Sequence, residues 1–223
     1  MTASRLDPDD PAAVRRFIIA NTRLIAPPLI PELRLHLAEE SLAIWGKTEE
    51  DLGEMNVAPP YWAFAWAGGQ ALARTLLDSP DLVRGKSVLD LGCGAGLAGI
   101  AALKSGARSV LAADIDRIAL VATALNAADN DVALETTADD LLSGLPSDFD
   151  VLLVGDLFYE RQLAERVLAL IEPAAARGSV VLIGDPQRNY FPKGRFTQIA
   201  TYKVPVTRDL EDAEIKNSAV WRL

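Results

Sequence analysis

The sequence predicts an α/β fold in which a mostly parallel sheet carries helices on both faces, with an antiparallel strand pair near the C-terminus and a helical N-terminal extension. After Lys86, short apolar runs alternate with stretches of helical spacing, the pattern of parallel strands joined by right-handed crossovers. The run FDVLLVGD is apolar without interruption, which indicates a strand buried on both faces. RFTQIATYKV and NSAVWRL follow each other without a good intervening helix, which predicts the antiparallel pair.

The N-terminal part is predicted to be helical. PAAVRRFIIAN has helical spacing and follows Asp10, an N-cap residue placed before a proline. A second helix is expected over residues 32–44, which would place His36 on a helix surface. We expect residues 1–69 to form an extension that covers a site and residues 70–223 to form the sheet domain.

The sheet domain is predicted to begin with a helix, GGQALARTLLD, that ends at Ser79-Pro80. The strands and helices that follow alternate along the chain. In order they are SVLDL, LAGIAALKSG, SVLAAD, DRIALVATALNAAD, VALETT, FDVLLVGD, RQLAERVLALIEP and SVVLIGD, before the C-terminal strand pair.

Composition excludes several classes of function. The net charge of -9 repels nucleic acid and suits a basic protein, a lysine side chain or a cationic cofactor. One cysteine and one histidine argue against a disulfide, a zinc site and a Ser-His-Asp triad, so no metal is expected. With no apolar h-region and no apolar run of membrane length, we expect a cytoplasmic protein without a membrane partner, acting as a monomer.

A glycine-rich loop follows the first strand of the sheet domain. Gly92, Gly94 and Gly96 permit positive φ and let a ligand approach the backbone, and the next helix directs free N–H groups at that ligand. The loop also fits the pattern G-x-G-x-x-G, which by itself is weak support for a dinucleotide. It therefore suits either a nicotinamide or flavin dinucleotide or S-adenosylmethionine.

Acids at three successive strand ends favour the second ligand. Asp90 lies two residues before the loop, where it would repel a pyrophosphate but attract a sulfonium and an ammonium group. Asp114 ends the next strand, where a carboxylate can accept both ribose hydroxyls of either ligand. Asp139 or Asp140 follows the third strand and can accept from an adenine amino group. Each acid alone could be a helix cap, but the three together predict an adenosine pocket.

VLDLGCGAGLAGI followed by VLAADID resembles the first two motifs of the Rossmann-like, seven-stranded S-adenosylmethionine-dependent methyltransferases. PPYWAFAWAGGQALARTLLD before the first strand and GDLFYE after the fourth resemble the protein-lysine methyltransferases of this class, most closely the branch that modifies the electron transfer flavoprotein β subunit. The branch has Trp-Pro-Gly-Gly where this chain has Trp66-Ala67-Gly68-Gly69. The resemblance implies S-adenosylmethionine as cofactor, S-adenosylhomocysteine as product, and cofactor contacts from Trp66 and Ile115.

The stretch GDLFYE is the predicted lysine site. We expect Asp156 to orient the substrate amine, and Phe158 and Tyr159 to line an aromatic channel that desolvates it. The alternatives are purely structural: Asp156 caps the helix beginning at Arg161, and Phe158 is a core residue. Tyr61 and Phe64 are expected to be a hydrophobic plug.

The favoured substrate is the electron transfer flavoprotein β subunit. The alternatives are a ribosomal protein lysine or another amine, and, from other classes, a dinucleotide enzyme or a nucleotide-binding module without catalysis.

Overall fold

A computed structural model describes residues 6–39, 52–53, 55–144, 149–207 and 214–223. Within these, the strands are β1 (Arg23–Ile25), β2 (Leu35–Leu37), β3 (Ser87–Leu91), β4 (Ser109–Ala113), β5 (Glu135–Thr137), β6 (Val151–Gly155), β7 (Val180–Asp185), β8 (Thr197–Pro205) and β9 (Ile215–Arg222). The helices are α1 (Pro11–Asn21), α2 (Ala67–Asp78), α3 (Leu97–Lys104), α4 (Arg117–Asp129) and α5 (Arg161–Ala176). Short 3₁₀ turns cover Tyr61–Ala63, Pro80–Leu82 and Leu141–Ser143.

Seven strands form one sheet in the order β5-β4-β3-β6-β7-β9-β8. The pairs from β5 to β7 are parallel, and β9 is antiparallel to both β7 and β8. The predicted mostly parallel sheet with an antiparallel C-terminal pair is therefore confirmed. The chain leaves β3 in one direction for β4 and β5 and returns on its other side as β6 and β7, so the switch point lies between β3 and β6.

The sheet is buried on both faces because side chains along each strand alternate in direction. On β3, Leu89 belongs to the core on the α5 side, where Val167 and Ile171 of that helix pack. Its neighbour Val88 belongs to the opposite core, which contains Leu72 of α2 and residues of α3. Helices therefore cover both faces, as the continuous apolar strands predicted.

The N-terminal extension packs against the sheet domain. Val14 and Ile18 of α1 share a core with Ile118 and Ala122 of α4. The backbone N–H of His36 donates to Asn126 Oδ1 at 2.8 Å, which attaches β2 to the same helix. The extension is thus tied to the domain by apolar contacts and by a buried amide.

The second predicted helix is wrong where the structure describes it. Residues 35–37 form β2, paired with β1, and residues 40–44 lie outside the described residues. Leu35 and Leu37 are buried on either side of the partly buried His36, a period of two that suits a strand. His36 faces Asp129 of α4, with Nε2 3.1 Å from Oδ2, and is not on a helix surface. In the described part of the chain, no helix combines the length and apolarity that a membrane span requires.

Candidate active site

The glycine loop, residues 92–96, turns sharply between β3 and α3. Gly92, Gly94 and Gly96 have φ values of 63°, 53° and 77°, a backbone region that L-residues rarely adopt. A Cβ on Gly94 would meet only Trp62 Cα, at 3.8 Å, so this part of the loop leaves open space beside its backbone. A Cβ on Gly96 would lie 2.8 Å from Thr123 Cγ2. The glycines thus serve the turn, the packing of α4 and the approach of a ligand.

Helix α4 holds the loop from behind. Thr123 Oγ1 donates to the Gly94 carbonyl at 3.0 Å, and Asn126 Nδ2 donates to the Ala95 carbonyl at 2.9 Å. Both side chains are buried. Sequence reasoning missed these residues because their partners lie about thirty positions earlier in the chain; two polar residues three apart within an apolar helix were the available signal.

Asp90 is buried beneath the loop. Its Oδ2 accepts from the backbone N–H of Gly99 at 2.8 Å, which ties the carboxylate to the first turn of α3. Burial raises the pKa of Asp90 to about 7, and the nearby Asp114 charge acts in the same direction against the hydrogen bond from Gly99. The hydrogen bond from Gly99 therefore does not offset the energetic cost of burying the Asp90 carboxylate in its charged form.

Asp114 lies at the end of β4, on the other side of the loop. It accepts from the backbone N–H of Gly94 at 2.9 Å and from that of Asp116 at 3.0 Å. Burial raises the pKa of Asp114, which the backbone hydrogen bonds partly offset. Ile115, beside it, is 75% exposed, a large apolar side chain left open at the predicted cofactor edge.

The two acids after β5 differ in their contacts. Asp140 caps the turn at Leu141–Ser143 by accepting from Leu142 N, and it pairs with Arg166 at 2.5 Å. Asp139 is exposed and accepts from Thr137 Oγ1 at 2.8 Å. Asp140 thus takes part in an exposed ion pair with Arg166, and the contact of Asp139 with an adenine amine stays a prediction.

The cofactor side, formed by residues 90–116, fits a cationic ligand. In the described part of the chain, no cationic side chain is among the groups that shift the pKa of Asp90 or Asp114. Two buried acids without such a partner, beside a loop open at Gly94, would repel a pyrophosphate and attract a sulfonium or ammonium group. This arrangement supports the distinction between ligands that was drawn from the sequence.

Asp156 directly follows β6 and has a left-handed backbone, with φ 59°. Its Oδ2 accepts from the backbone N–H of Gly69 at 2.7 Å, so it satisfies one of the free amides at the start of α2. The helix beginning at Arg161 has Glu160 at its N-cap and no side-chain capping bond. The alternative that Asp156 caps this helix is therefore wrong; the residue acts on α2 instead.

Two glycines allow α2 to approach the end of the sheet. A Cβ on Gly68 would lie 2.2 Å from the carbonyl oxygen of Gly184 and 2.6 Å from Asp156 Oδ2. A Cβ on Gly184 would lie 2.1 Å from the carbonyl oxygen of Gly68. Gly68 and Gly184 therefore allow the backbones of α2 and β7 to lie in contact. This contact places Trp66, which precedes α2, at the same edge of the sheet.

Arg188, in the loop after β7, completes this cluster. Its Nε and Nη2 donate to Asp156 Oδ1 at 2.9 and 2.6 Å, and its guanidinium carbon lies 5.4 Å from the centre of the Trp66 ring. Its backbone N–H donates to Asp185 Oδ1 at 2.7 Å. We call Trp66, Gly69, Asp156, Asp185 and Arg188 the acceptor cluster. Sequence reasoning missed Arg188, because nothing near it in the chain indicates a partner thirty-two positions away.

The aromatic residues divide into an exposed group and a buried one. Tyr159 is 46% exposed, and its ring centre lies 6.0 Å from that of Tyr61, which is 55% exposed and 6.1 Å from Trp66. Tyr61 is therefore not the buried plug that was expected. We call Tyr61, Trp66 and Tyr159 the aromatic rim.

The structure corrects the role expected for Phe158. Its ring is fully buried and packs edge-on against Phe191 at 5.5 Å, within the core on the α5 side. A side chain without exposed surface supports the edge from below and does not line a channel for substrate. The core alternative describes it correctly.

The two sides of the site lie on either side of the switch point, where open α/β sheets bind ligands. The glycine loop follows β3, and Asp156 follows β6, the strand paired with it. Leu157 connects the sides, because a Cβ on Gly92 would lie 2.8 Å from its Cδ2. One edge thus presents buried acids, a fixed carboxylate and an aromatic rim, which suits the transfer of a group from a cationic donor to an amine.

Comparison with known proteins agrees with this chemistry. The family model described as ribosomal protein L11 methyltransferase (PrmA) matches residues 71–177. A candidate RNA methyltransferase of solved structure from Pyrococcus horikoshii has a TM-score of 0.52 at 19% identity, over 69% of this chain and 81% of that one, which is a likeness of fold.

Relatives that match along nearly the whole chain are more informative. The electron transfer flavoprotein beta subunit lysine methyltransferase of Danio rerio is 38% identical over 94% of this chain and 83% of its own length. The protein of the same name from Homo sapiens is 38% identical over 98% of this chain and 83% of its own length. The chain therefore belongs to the family of electron transfer flavoprotein beta subunit lysine methyltransferases.

Proposed function

We propose that this protein transfers methyl groups from S-adenosylmethionine to lysine side chains of the electron transfer flavoprotein β subunit. The identity to the Danio rerio protein of that activity, 38% over 94% of this chain, carries the proposal. The buried acids and the aromatic rim support it, because they form a site with a cationic donor side and an amine acceptor side.

On the cofactor side, the chain's task is to bind and orient. S-adenosylmethionine, when bound, supplies the methyl group on a sulfonium. Asp90 and Asp114 would attract its positive charge and its ribose, Asp139 its adenine, and the backbone of Gly92, Gly94 and Gly96 would permit close approach. Trp66 and Ile115 would cover its apolar parts.

On the acceptor side, the chain must deliver a neutral amine in line with the methyl group. Methyl transfer is a displacement, so alignment is the main contribution of the protein. A lysine ammonium, with a reference pKa of about 10.4, must first lose its proton. The aromatic rim would favour this by removing water around the amine. The Asp156 carboxylate, held by Gly69 and Arg188, would accept a hydrogen bond from the amine and fix its direction.

A ribosomal protein substrate has a specific observation in its favour, the match to the L11 methyltransferase family over residues 71–177. That region contains the glycine loop, Asp90, Asp114, Asp139 and Asp156, but it excludes Tyr61, Trp66 and Arg188. The matched part thus predicts methyl transfer, whereas the residues outside it, which match the lysine methyltransferase relatives, favour the flavoprotein subunit.

The substrate test uses purified protein, labelled S-adenosylmethionine and the electron transfer flavoprotein β subunit, with mass spectrometry to locate the label. We expect label on lysines of the subunit, and none when Asp156→Ala replaces the wild type. A wild-type protein that binds cofactor but leaves the subunit unlabelled would refute this substrate, and labelling L11 in a parallel reaction would establish the alternative.

The cofactor test compares S-adenosylhomocysteine with NAD by calorimetry. We expect binding of the first alone, because the negative charge of Asp90 repels a pyrophosphate near the loop. Tight binding of NAD would overturn the assignment.

A further inference from the structure

We propose that Arg188 is the positioning residue of the acceptor side: by pairing with Asp156 it lets that carboxylate hold a substrate lysine as a neutral amine. The inference rests on the proposed function, and it assigns a role to a residue outside the resemblance that identified the site. Arg188 would not contact the transferred methyl group; it would act through Asp156 and Trp66.

The geometry shows a guanidinium committed to this cluster. Two of its nitrogens bond the same oxygen of Asp156, and its face lies over Trp66. The side chain is 16% exposed and that of Asp156 is 9% exposed, so solvent screens the pair weakly. Arg188 therefore fixes both the carboxylate that would receive the amine and the indole beside it.

The loop that carries Arg188 is itself held in place. Gln187 has φ 63°, and the backbone N–H of Arg188 donates to Asp185 Oδ1. Asp185 is fully buried at the end of β7, and its Oδ2 has no partner within the described residues. A residue with left-handed backbone and a buried acid together set the position of this guanidinium.

The charge of Arg188 matters because of what Asp156 would do without it. A weakly solvated carboxylate would hold a lysine as an ammonium ion, raise the pKa of the amine and remove its lone pair from reaction. Arg188 offsets the charge of Asp156, and its positive charge disfavours a second cation beside it. Burial and the charge of Asp156 raise the pKa of Asp185 to about 7, so this second acid becomes fully charged only above neutral pH. Asp156 can then accept a hydrogen bond from an amine that keeps its lone pair.

The test compares Arg188→Gln with Arg188→Lys, each assayed on the β subunit across pH at saturating cofactor and substrate. Among the residues that the structure describes, the titratable and charged groups around Asp156 are Asp185 and Arg188, with Tyr61 and Tyr159 at the aromatic rim. The pKa of Asp185 is raised to about 7 by burial and by the charge of Asp156, so the comparison with Arg188→Lys is needed to separate its titration from that of the amine. In Arg188→Gln, we expect the acid limb of the kcat profile to move up by about one pH unit. At neutral pH kcat would fall about tenfold, because the amine is less often deprotonated. KM should not rise.

Arg188→Lys retains the positive charge, so the acid limb of its kcat profile should lie at the same pH as in the wild type even if kcat itself is lower. Arg195→Gln is the matched control, since its guanidinium is half exposed and pairs with Glu172 at 2.5 Å, away from the cluster. It should leave kcat and the pH profile unchanged. Thermal unfolding and calorimetry with S-adenosylhomocysteine verify that each variant is folded and binds.

An unshifted profile in folded Arg188→Gln would overturn the inference while leaving the proposed function intact. So would a higher KM at unchanged kcat, or equal shifts in the Gln and Lys variants, because these would indicate a structural role. Absence of transfer by the wild type would instead refute the proposed function, and the inference with it.

Discussion

The carboxyl edge of the sheet has a cofactor side, residues 90–116, and an acceptor side, which combines the segment before α2 with the loops after β6 and β7. The cofactor side leaves the buried acids Asp90 and Asp114 without a cationic side chain among the groups that shift their pKa, in the described part of the chain. The acceptor side instead pairs its acid, Asp156, with Arg188. On the cofactor side, the bound ligand would supply the positive charge that the chain does not. On the acceptor side, the chain supplies that charge through Arg188, because the substrate amine must become neutral before transfer.

The two sides also differ in construction. The cofactor side is made by one βαβ unit, β3-α3-β4, and the helix α4 that follows it supports the loop. The acceptor side is assembled from distant segments, with Gly69 and Arg188 converging on Asp156 from opposite directions. We therefore expect changes on the first side to alter cofactor affinity, and changes on the second to alter transfer.

The largest expected effect is that of Asp156→Ala. It removes the acceptor for the amine, the cap of α2 and the partner of Arg188, so kcat/KM should fall about 100-fold or more. Cofactor affinity, measured by calorimetry with S-adenosylhomocysteine, should be nearly unchanged. If affinity collapses while the turnover of bound cofactor persists, Asp156 belongs to the cofactor side and the division of the edge is wrong.

Gly94→Ala tests the cofactor side. The residue has φ 53°, so a Cβ should cost about 1–2 kcal/mol in the free energy of unfolding. The same methyl would enter the open space beside the loop and weaken cofactor binding by about 1–3 kcal/mol, which is about 5- to 160-fold. Urea unfolding and calorimetry measure the two effects separately.

Gly85→Ala is the control for this change. Gly85 has φ 71°, and a Cβ there would meet nothing within 4 Å. Gly85→Ala should lower the free energy of unfolding by a similar amount and leave the affinity for the cofactor unchanged. Equal losses of affinity in both variants would mean that the loop contributes only stability.

The pKa of Asp90 gives the cofactor side a dependence on pH. That pKa is raised to about 7, so the carboxylate becomes charged as pH rises through neutrality. Because the charged form attracts a sulfonium, the affinity for S-adenosylmethionine should increase by up to about tenfold between about pH 6 and 8. Asp90→Asn, which can still accept from Gly99, should bind more weakly at the higher pH and lose most of the dependence. An affinity that falls over this range would contradict the predicted role of the acid.

The same difference between the sides explains what could be predicted from the sequence. The parallel strands, the antiparallel C-terminal pair, the glycine loop and the acid positions follow from hydrophobic pattern and from residues close together in the chain. Arg188 and the capping of α2 by Asp156 depend on contacts between distant loops, which no local pattern specifies. The channel position predicted for Phe158 is wrong because the residue lies after the end of β6, where side chains no longer alternate with a period of two. The segment 35–37 was misread because a stretch of leucine and glutamate has helical propensity, which pairing with β1 overrides.

Tyr61 offers the smallest and most specific test of the acceptor side. Its ring is more than half exposed beside Tyr159, while its backbone carbonyl accepts from Trp66 Nε1 at 2.9 Å. An exposed contact between a cation and an aromatic face contributes about 0.5–1 kcal/mol, so Tyr61→Leu should raise KM for the protein substrate about two- to fivefold. Tyr61→Phe retains the ring and should match the wild type. Cofactor affinity should not change in either variant, since the backbone bond to Trp66 is kept. Trp66 is the one member of the aromatic rim that is expected to contact the cofactor, so a loss of cofactor affinity in Tyr61→Leu alone would assign Tyr61 to the cofactor side as well.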